Sequence, residues 1–257
     1  MKHMKTTITQ CLILAAGNGS RIASLSGGTP KPLVPFRGMP LLEHVMLCSE
    51  EAGINQCVVV TGYRADVIRR WLTSRSVGNM FVRWIENPEY RKGNGVSALA
   101  AKEVLRSPFL LLMADHLFEP KTAKALLQQP LADDEVILAV DSKVDRVFDL
   151  EDATKVRCEG DRIVEIGKNL SCYNALDTGM FLCSPTLFNR LESAKKDGDC
   201  SLSDGMRQLA REQKLKAFNI GDAHWQDVDT PEAFAHAEYI FDRDFCENPI
   251  AESFAGV

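Results

Sequence analysis

Short runs of β-branched and aliphatic residues alternate with segments of helical periodicity through the first half of the chain. In the helical segments, apolar residues recur three or four positions apart, as they do on one face of an α-helix. Strands that alternate with helices pair in parallel, so the pattern predicts an α/β fold: a mostly parallel sheet with helices on both faces. The predicted strands are residues 11–14, 57–61, 81–85, 109–113 and 136–140, and the predicted helices are residues 41–52, 65–74 and 96–105.

Beyond residue 140 the sequence becomes charged and rich in turn residues. We expect short strands there, and we interpret residues 141–184 as a small β-rich excursion that walls a second pocket. The strands expected in it are residues 155–158, 162–166 and 178–183; helices at 185–191 and 202–211, a strand at 216–220 and a terminal helix from Pro231 follow. We assign residues 1–241 to one domain and residues 242–257 to a C-terminal tail of unknown role.

The charge and cysteine content argue against several classes of function. Thirty basic and thirty-five acidic residues give a net charge of −5 without any Lys/Arg run, so a nucleic-acid partner is not expected. The eight cysteines form no Cys-x-x-Cys pair, which disfavours a zinc or redox motif and indicates reduced thiols. The N-terminus lacks an apolar signal core, and the longest apolar stretch, residues 109–114, is too short to cross a bilayer. We therefore expect a cytoplasmic protein without membrane insertion; its oligomeric state is not indicated.

A loop of small residues follows the first predicted strand. Backbone N–H groups in such a loop can approach phosphate oxygens unobstructed, and Gly17 and Gly19 are the expected points of closest approach. Arg21 and Lys31 can neutralise phosphate charge, and the prolines on either side of Lys31 stiffen the segment that carries it. The expected nucleotide-binding residues of the loop are Leu14, Ala15, Ala16, Gly17, Asn18, Gly19 and Ser20, with Arg21 and Lys31 as the catalytic cations.

An isolated Gly-x-Gly turn is more often a plain connection between a strand and a helix. Neither Gly-x-Gly-x-x-Gly nor Walker A spacing is present, and this disfavours a dehydrogenase. Here, residues 14–21 read Leu-Ala-Ala-Gly-Asn-Gly-Ser-Arg and residues 30–33 read Pro-Lys-Pro-Leu. Together they resemble the signature of the nucleotidyltransferase family of sugar-phosphate pyrophosphorylases. The resemblance implies a Rossmann-like sheet with the nucleotide at the carboxyl ends of its strands.

Two acidic segments are candidates for a metal site. Asp115 follows the predicted strand at 109–113, and Asp227 and Asp229 lie on the same face of a short strand because side chains alternate along it. Either segment could instead cap a helix, although the helix after Asp115 is expected to begin too late for this, at Pro120. The family resemblance implies Asp115 and Asp229 as Mg²⁺ ligands, with Asp227 as a weaker candidate.

Residues 86–97 turn from a strand into a helix and contain Asn-Pro and Gly-Asn-Gly, which are also plain turn signals. Asn87 offers a donor and an acceptor to a base edge, and Gly93 permits close backbone approach. Asn-Pro-x-Tyr followed by Lys-Gly-Asn and a serine-bearing helix resembles the CTP-using branch of the family. The resemblance implies that Asn87, Gly93, Asn94 and Ser97 bind the nucleotide CTP.

The middle of the chain narrows the resemblance further. Met-Ala-Asp-His at 113–116, Asp-Ala-Thr-Lys-Val at 152–156 and Leu-Asp-Thr-Gly at 176–179 resemble the CTP:L-myo-inositol-1-phosphate cytidylyltransferase group. The resemblance implies cytidylyl transfer from CTP to myo-inositol 1-phosphate, or a closely related phospho-polyol, with release of pyrophosphate. The product, CDP-inositol, could then feed a membrane CDP-alcohol phosphotransferase.

The β-rich excursion is expected to bind this acceptor. Lys155 and Lys168 could contact its phosphate, and Asp177, together with Asp204 as a weaker candidate, could accept hydrogen bonds from polyol hydroxyls. For Lys155, simple solvation is a serious alternative, whereas the family places a lysine at the position of Lys168 to contact the acceptor. Hydrogen bonding alone does not separate inositol phosphate from another phospho-polyol.

The implied reaction is an in-line attack of the acceptor's phosphate oxygen on the α-phosphorus of CTP. A phosphate monoester dianion is already nucleophilic, so no general base is required, and His116 is interpreted as a packing residue or a supporting donor. A phosphocholine or hexose-1-phosphate nucleotidyltransferase is the alternative enzyme, although the Trp and Tyr residues form no cluster that suggests a choline cage. A catalytically silent nucleotide-binding regulatory protein, the alternative of another class, would be expected to have lost Lys31, Asp115 or Asp229.

Overall fold

The computed structural model describes residues 7–247, and a nine-stranded sheet forms the centre of this part of the chain. The strands of this sheet are β1 (Gln10–Ala15), β4 (Gln56–Thr61), β5 (Phe81–Glu86), β6 (Phe109–Met113), β8 (Val136–Asp141), β9 (Lys155–Glu159), β10 (Arg162–Gly167), β11 (Ala175–Cys183) and β12 (Leu215–Asn219). Two short pairs lie outside it: β2 (Pro35–Phe36) with β3 (Met39–Pro40), and β7 (His116–Phe118) with β13 (Trp225–Asp227).

The described α-helices connect these strands or follow them. They are α1 (Ala23–Ser26), α2 (Leu41–Glu51), α3 (Ala65–Ser74), α4 (Asn94–Leu99), α5 (Pro120–Leu127), α6 (Thr186–Ala194), α7 (Leu202–Arg211) and α8 (Pro231–Glu247). Short 3₁₀ segments occur at Ser20–Ile22, Lys31–Leu33 and Val144–Arg146.

The order of the strands in the central sheet is β5-β4-β1-β6-β11-β8-β12-β10-β9. Strands β5, β4, β1 and β6 are parallel to one another, and β8 is parallel to β12. Only β11 and β10 run against the others: β11 pairs antiparallel with β6 and β8, and β10 with β12 and β9. The predicted α/β fold with a mostly parallel sheet is therefore confirmed, and its parallel half carries the loop after β1.

Helices cover both faces of the sheet, because successive side chains of a strand point to opposite faces. Leu12 and Leu14 of β1 belong to the core formed with α4, α6 and α7, whereas Cys11 and Ile13 belong to the core formed with α2, α3 and α5. A strand that is buried on both faces must be apolar throughout. This explains why residues 11–15 form an unbroken apolar run, all of them buried.

The β-rich excursion is part of the central sheet. The hairpin of β9 and β10 pairs with β12 through β10, and β9 also pairs with β11. Strand β11 begins at Ala175, three residues earlier than expected. The loop between β8 and β9 then folds back over the carboxyl ends of the parallel strands, next to the loop after β1. Asp152 of the β8–β9 loop contacts Arg21, which follows β1.

Two helices end differently from the prediction. The helix expected at 96–105 is α4 at Asn94–Leu99, and the turns after it are closed by i→i+3 backbone hydrogen bonds from Ala101, Lys102 and Val104. These tight bonds replace the i→i+4 pattern that would have extended the α-helix. The terminal helix α8 begins at Pro231, as expected, and continues to Glu247, so residues 242–247 of the expected tail are helical. Residues 248–257 of that segment lie outside the described residues.

No helix among residues 7–247 combines the length and the apolar character that a bilayer crossing requires. Within the same part of the chain, the cysteines at 11, 48, 57, 158, 172, 183 and 200 are free thiols.

Candidate active site

The loop after β1 lines a small cavity of about 180 Å³ at the carboxyl end of the parallel strands. Six of the seven residues expected to bind nucleotide there line it: Leu14, Ala15, Gly17, Asn18, Gly19 and Ser20. Ala16 does not. It is buried, and its carbonyl accepts a hydrogen bond from the backbone N–H of Tyr63 at 3.0 Å, which ties the loop to the segment after β4.

The two glycines of the loop have different roles. A Cβ on Gly17 would meet no atom of residues 7–247 within 4 Å, its two chain neighbours aside, so this position faces open space. Gly19 has a φ of +59°, and a Cβ there would lie 2.5 Å from Cβ of Lys31. Glycine is therefore required at 19 by the backbone conformation and by the packing of Lys31, whereas position 17 borders open space.

Lys31 lies at the centre of a cluster of carboxylates. Its side chain is 6% exposed, and its ammonium group lies 2.5 Å from Oδ2 of Asp115 and also contacts Asp229. Oδ1 of Asp227 is 3.9 Å from the same ammonium group. Asp115 follows β6 and Asp227 ends β13, and the pairing of β7 with β13 brings these two segments together. The fold thus joins residues that are more than 80 positions apart in sequence.

These charges shift one another's pKa values. Burial lowers the pKa of Lys31, but the negative charges of Asp115, Asp227 and Asp229 outweigh that effect and hold it above its ordinary value. Burial raises the pKa of Asp115, but Lys31 and His116 hold it well below its usual range. For Asp227, burial dominates and raises the pKa to about 7.

The donor set fits a divalent cation. Oδ1 of Asp227 is a buried oxygen that has no hydrogen-bond partner among the described residues. Potential ligand atoms of Asp115, His116 and Asp227 lie within 4.8 Å of one another, and so do those of Asp152, Asp227 and Asp229. Carboxylate oxygens are the protein ligands that Mg²⁺ prefers. The expected ligands Asp115 and Asp229 are brought together, and the unpartnered oxygen of Asp227 makes that residue a third candidate.

Arg21 links this cluster to a larger cavity. One guanidinium nitrogen lies 2.6 Å from Oδ2 of Asp152, and the other contacts Asp229. Oδ1 of Asp152 is 2.5 Å from the ammonium group of Lys168, so one carboxylate bridges the two cations. The hydrogen bond from Lys168, followed by the one from Arg21, lowers the pKa of Asp152 to about 2. Sequence reasoning gave Asp152 no role, because its partners lie 131 and 16 residues away.

The larger cavity has a volume of about 570 Å³ and shares Arg21 and Asp229 with the small one. The loop between β8 and β9 and strand β11 form much of its wall, so the β-rich excursion does wall a second pocket. Lys168 and Asp177 line this cavity, as expected for residues that bind an acceptor. Asp177 accepts a hydrogen bond from the N–H of Gly179 at 2.8 Å, and burial raises its pKa to about 6.

Further lining residues were not anticipated. Trp225 of β13 stacks on the ring of His116, and Phe148 of the β8–β9 loop stacks on His236 of α8. Asn94, which was expected to bind the nucleotide, lines this cavity instead, and its side-chain oxygen accepts a hydrogen bond from the N–H of Leu202. A sequence does not show which side chains of distant elements face the same space.

Asn87 and Ser97 are placed differently from the expectation. Both are buried, and neither lines the two cavities. The amide nitrogen of Asn87 donates to Oγ of Ser97 at 3.0 Å, and its oxygen accepts from the N–H of Glu89 at 2.9 Å. Both ends of the amide thus have a partner within the protein, and recognition of a base by Asn87 stays a prediction.

The close approach at Gly93 is also internal. Its N–H donates to Asp199 at 2.7 Å, and a Cβ there would lie 2.3 Å from the carbonyl oxygen of Cys200. Gly93 packs against the start of α7, and it does not line either cavity. Because Gly93 has no side chain, its backbone can pack directly against the backbone of Cys200.

Two charged residues expected near the acceptor also have internal partners. Lys155 is only 8% exposed, so it is not simply solvated, and its ammonium group donates to the carbonyl of Glu151 at 3.0 Å. Asp204 accepts hydrogen bonds from the N–H and Oγ of Ser201, completing the capping box of α7. Neither residue lines the larger cavity.

The sequence model of a protein family described as MobA-like NTP transferase domain matches residues 11–217 of this chain. The chain belongs to the MobA-like NTP transferase family. The family resemblance drawn from the loop and from Pro-Lys-Pro-Leu is thereby confirmed.

Curated relatives of this MobA-like NTP transferase include the bifunctional IPC transferase and DIPP synthase of Rubrobacter xylanophilus. It is 38% identical over 223 residues, which cover 86% of this chain and 49% of the relative. The protein of the same name from Aquifex aeolicus is 30% identical over 226 residues, covering 88% of this chain and 50% of that protein. The chain therefore spans about half the length of these curated relatives.

A solved structure extends the comparison to the fold. The inositol-1-phosphate CTP transferase from T. maritima is similar with a TM-score of 0.79 and 27% identity. The similarity covers 89% of this chain and 92% of that one. The arrangement of sheet, loop and cavities described above thus lies within a fold that the two proteins share almost throughout.

Proposed function

We propose that the chain transfers a cytidylyl group from CTP to myo-inositol 1-phosphate, giving CDP-inositol and pyrophosphate. The observation that carries this function is the meeting of two cavities at Arg21 and Asp229: one lined by an open glycine loop, the other by Lys168 and Asp177. The names of the curated relatives and of the T. maritima structure support the choice of CTP and inositol 1-phosphate.

The nucleotide is assigned to the smaller cavity. Backbone N–H groups around Gly17 would donate to the triphosphate, since a Cβ at this position would meet no atom of the other described residues within 4 Å. Arg21 and Lys31 would add positive charge where negative charge builds up on the leaving pyrophosphate. Both side chains line this cavity, and the buried Lys31 is fixed by its packing against Gly19.

The acceptor is assigned to the larger cavity. Lys168 would bind its phosphate, and Asp177 would accept hydrogen bonds from its hydroxyl groups. The phosphate oxygen then attacks the α-phosphorus in line with the leaving pyrophosphate, and no protein base is needed since the monoester dianion is already nucleophilic. The contribution of the protein is the placement of the two substrates at the shared boundary of the cavities.

Mg²⁺ is the cofactor we assign to the carboxylate cluster. Asp115 and Asp229 would hold it, with the unpartnered oxygen of Asp227 as a further ligand. When bound, it would supply positive charge to the triphosphate. Lys31, which contacts Asp115 and Asp229 in the structure, would neutralise part of the same negative charge.

We place this reaction in the cytoplasm, with the product passed to a CDP-alcohol phosphotransferase. The free thiols of the described cysteines support a reducing compartment. A CDP-alcohol is an activated phosphoryl donor, so a phosphotransferase that releases CMP is the class of reaction that would consume it.

The test is pyrophosphate release with Mg²⁺, in which CTP, UTP, ATP and GTP are each combined with inositol 1-phosphate, phosphocholine and glucose 1-phosphate. We expect release with CTP and inositol 1-phosphate, and loss of it in EDTA. Asp115→Asn should abolish most of the activity, whereas Asp133→Asn, at an exposed position outside both cavities, should not change it.

Other outcomes would reject the proposal in specific ways. Release with UTP and glucose 1-phosphate, or with CTP and phosphocholine, would keep a nucleotidyltransferase and overturn its substrate. Binding of CTP without turnover of any acceptor in the panel would favour a regulatory protein on the same scaffold.

A further inference from the structure

His116 lies between the metal cluster and the acceptor cavity. It begins β7 directly after Asp115, and its side chain is 16% exposed. Its Nδ1 lies 2.9 Å from Oδ1 of Asp115 and 4.0 Å from Oδ1 of Asp227. A carboxylate can only accept a hydrogen bond when ionised, so Nδ1 of His116 donates to Asp115. This bond fixes the orientation of a carboxylate that is assigned to the metal.

The imidazole ring is held from two sides. The indole of Trp225 stacks on one side, with ring centroids 6.0 Å apart and an interplanar angle of 20°. The indole is itself fixed, because its Nε1 donates to the buried Asp141 at 3.0 Å. The backbone of Gly179 approaches so closely that a Cβ there would lie 2.5 Å from Cδ2 of His116.

Gly179 belongs to the bulge that presents Asp177. The pairing of β11 with β8 shifts register between Asp177 and Phe181, and Gly179 has a φ of +76°. The N–H of Gly179 donates to Asp177 at 2.8 Å, so the position of Asp177 depends on the position of this glycine. The bulge thus rests on one edge of the imidazole ring, while the other edge holds Asp115.

We propose that His116 is a positioning residue whose Nδ1–H orients Asp115 for the metal and whose ring supports the Asp177–Gly179 bulge for the acceptor. One side chain then couples the metal site to the acceptor site. Both halves rest on the proposed function: the acceptor half on the proposed acceptor, and the metal half on the nucleotide through which metal binding is measured. If His116 only filled space, removing its ring and removing its Nδ1–H in separate variants would not affect the metal site and the acceptor site differently.

Two substitutions make that separation. His116→Phe keeps a ring against Trp225 and Gly179 but removes the donor to Asp115. His116→Asn keeps a donor near the position of Nδ1 but removes the ring atoms that Gly179 contacts. His116→Phe should weaken metal binding with little change at the acceptor site. His116→Asn should weaken acceptor binding with little change at the metal site.

Calorimetry reads both sites without turnover. Metal binding is measured as the increase in affinity for α,β-methylene-CTP when Mg²⁺ is added. Acceptor binding is measured as the affinity for inositol 1-phosphate. We expect His116→Phe to reduce the Mg²⁺-dependent gain by about 10-fold or more, the usual effect of removing a hydrogen bond to a metal ligand. His116→Asn should keep that gain and bind inositol 1-phosphate severalfold more weakly.

A control is His44, whose ring nitrogen bonds to the carbonyl oxygen of Phe36 at 2.8 Å and whose ring packs edge to face on the same residue. His44 lines neither cavity, so His44→Phe should change neither affinity. Equal losses at both sites in both His116 variants, or no loss in either, would overturn the inference.

The wild-type protein separates this inference from the proposed function. If it fails to bind inositol 1-phosphate, the proposed acceptor is wrong, while an undiminished Mg²⁺-dependent gain in His116→Phe would still overturn the metal half. Gly179→Ala gives an independent test should a His116 variant fold poorly, because its Cβ would press on the ring. With His116 intact, Gly179→Ala should reduce both the Mg²⁺-dependent gain in affinity and the affinity for inositol 1-phosphate, because the displaced ring carries the donor to Asp115.

Discussion

The ammonium group of Lys31 lies 2.5 Å from Oδ2 of Asp115, and it contacts Asp229 from the same buried position. Without this cation, three partly exposed carboxylates would face one another. Lys31→Met should therefore lower the free energy of unfolding in EDTA by about 1–3 kcal/mol, less than for a fully buried pair because the carboxylates are partly exposed. Activity should fall by about 100-fold or more, since a fixed charge beside the leaving group is lost.

Calorimetric unfolding with and without Mg²⁺ checks this prediction. Mg²⁺ should restore part of the lost stability because it supplies positive charge to the same carboxylates, but it should not restore activity. Lys124→Met, on the exposed face of α5, removes a lysine that has no such partners among residues 7–247 and should have no effect. An unchanged melting temperature of Lys31→Met in EDTA would show that Lys31 does not hold the cluster together.

Gly17 and Gly19 should respond differently to alanine. A Cβ at 17 meets open space within the protein, so Gly17→Ala should unfold as wild type does but bind CTP more weakly. At 19 the φ of +59° and the contact with Lys31 make alanine strained, so Gly19→Ala should lose about 1 kcal/mol or more of stability as well as activity. Urea unfolding and CTP titration of the two variants measure this; equal stability losses would contradict the assignment.

The sequence predicts the parts of the site that depend on local pattern. Ala16 to Arg21 follow a strand whose apolar run shows that it is buried, so their place at the carboxyl end of the sheet follows from order along the chain. The prolines next to Lys31 stiffen the segment that carries it. Asp115 is similar, because a carboxylate directly after a buried strand must emerge at the same edge.

The contacts that the sequence does not predict join distant segments of the chain. The sequence does not show whether a glycine allows close contact with a ligand or with another segment of the chain. Gly93 is of the second kind, because the backbone of Cys200 packs against it. Asp152 was given no role since its bond to Arg21 spans 131 residues. Propensity and spacing do not carry that information.

Asn87 is therefore expected to act through stability. Asn87→Ala would remove the hydrogen bonds to Ser97 and Glu89 in a buried setting and should destabilise the fold by about 1–3 kcal/mol. The ratio of activity with CTP to activity with UTP should stay unchanged. Urea unfolding and a two-nucleotide assay check this, and a changed ratio at wild-type stability would restore Asn87 to the nucleotide site.

Asp177 should link function to pH-dependent stability. Burial raises its pKa to about 6, and a carboxyl group whose pKa is higher in the folded than in the unfolded state destabilises the fold above the folded pKa. That penalty declines as the pH falls through 6 and disappears below the ordinary pKa of aspartate, near 4. Asp177→Asn, which can still accept the hydrogen bond from Gly179, should thus be more stable than wild type at pH 8 by about 1–3 kcal/mol.

The comparison of urea unfolding at pH 8 and pH 4.5 isolates this group, because acid affects the other carboxylates of both proteins equally. The advantage of Asp177→Asn should shrink at the lower pH, and its affinity for inositol 1-phosphate should be reduced at pH 8, where wild type carries the charge. A variant that gains stability and loses acceptor binding would show that the buried charge is retained for binding. A pH-independent difference in stability would mean that the pKa of Asp177 is the same in the folded and the unfolded protein.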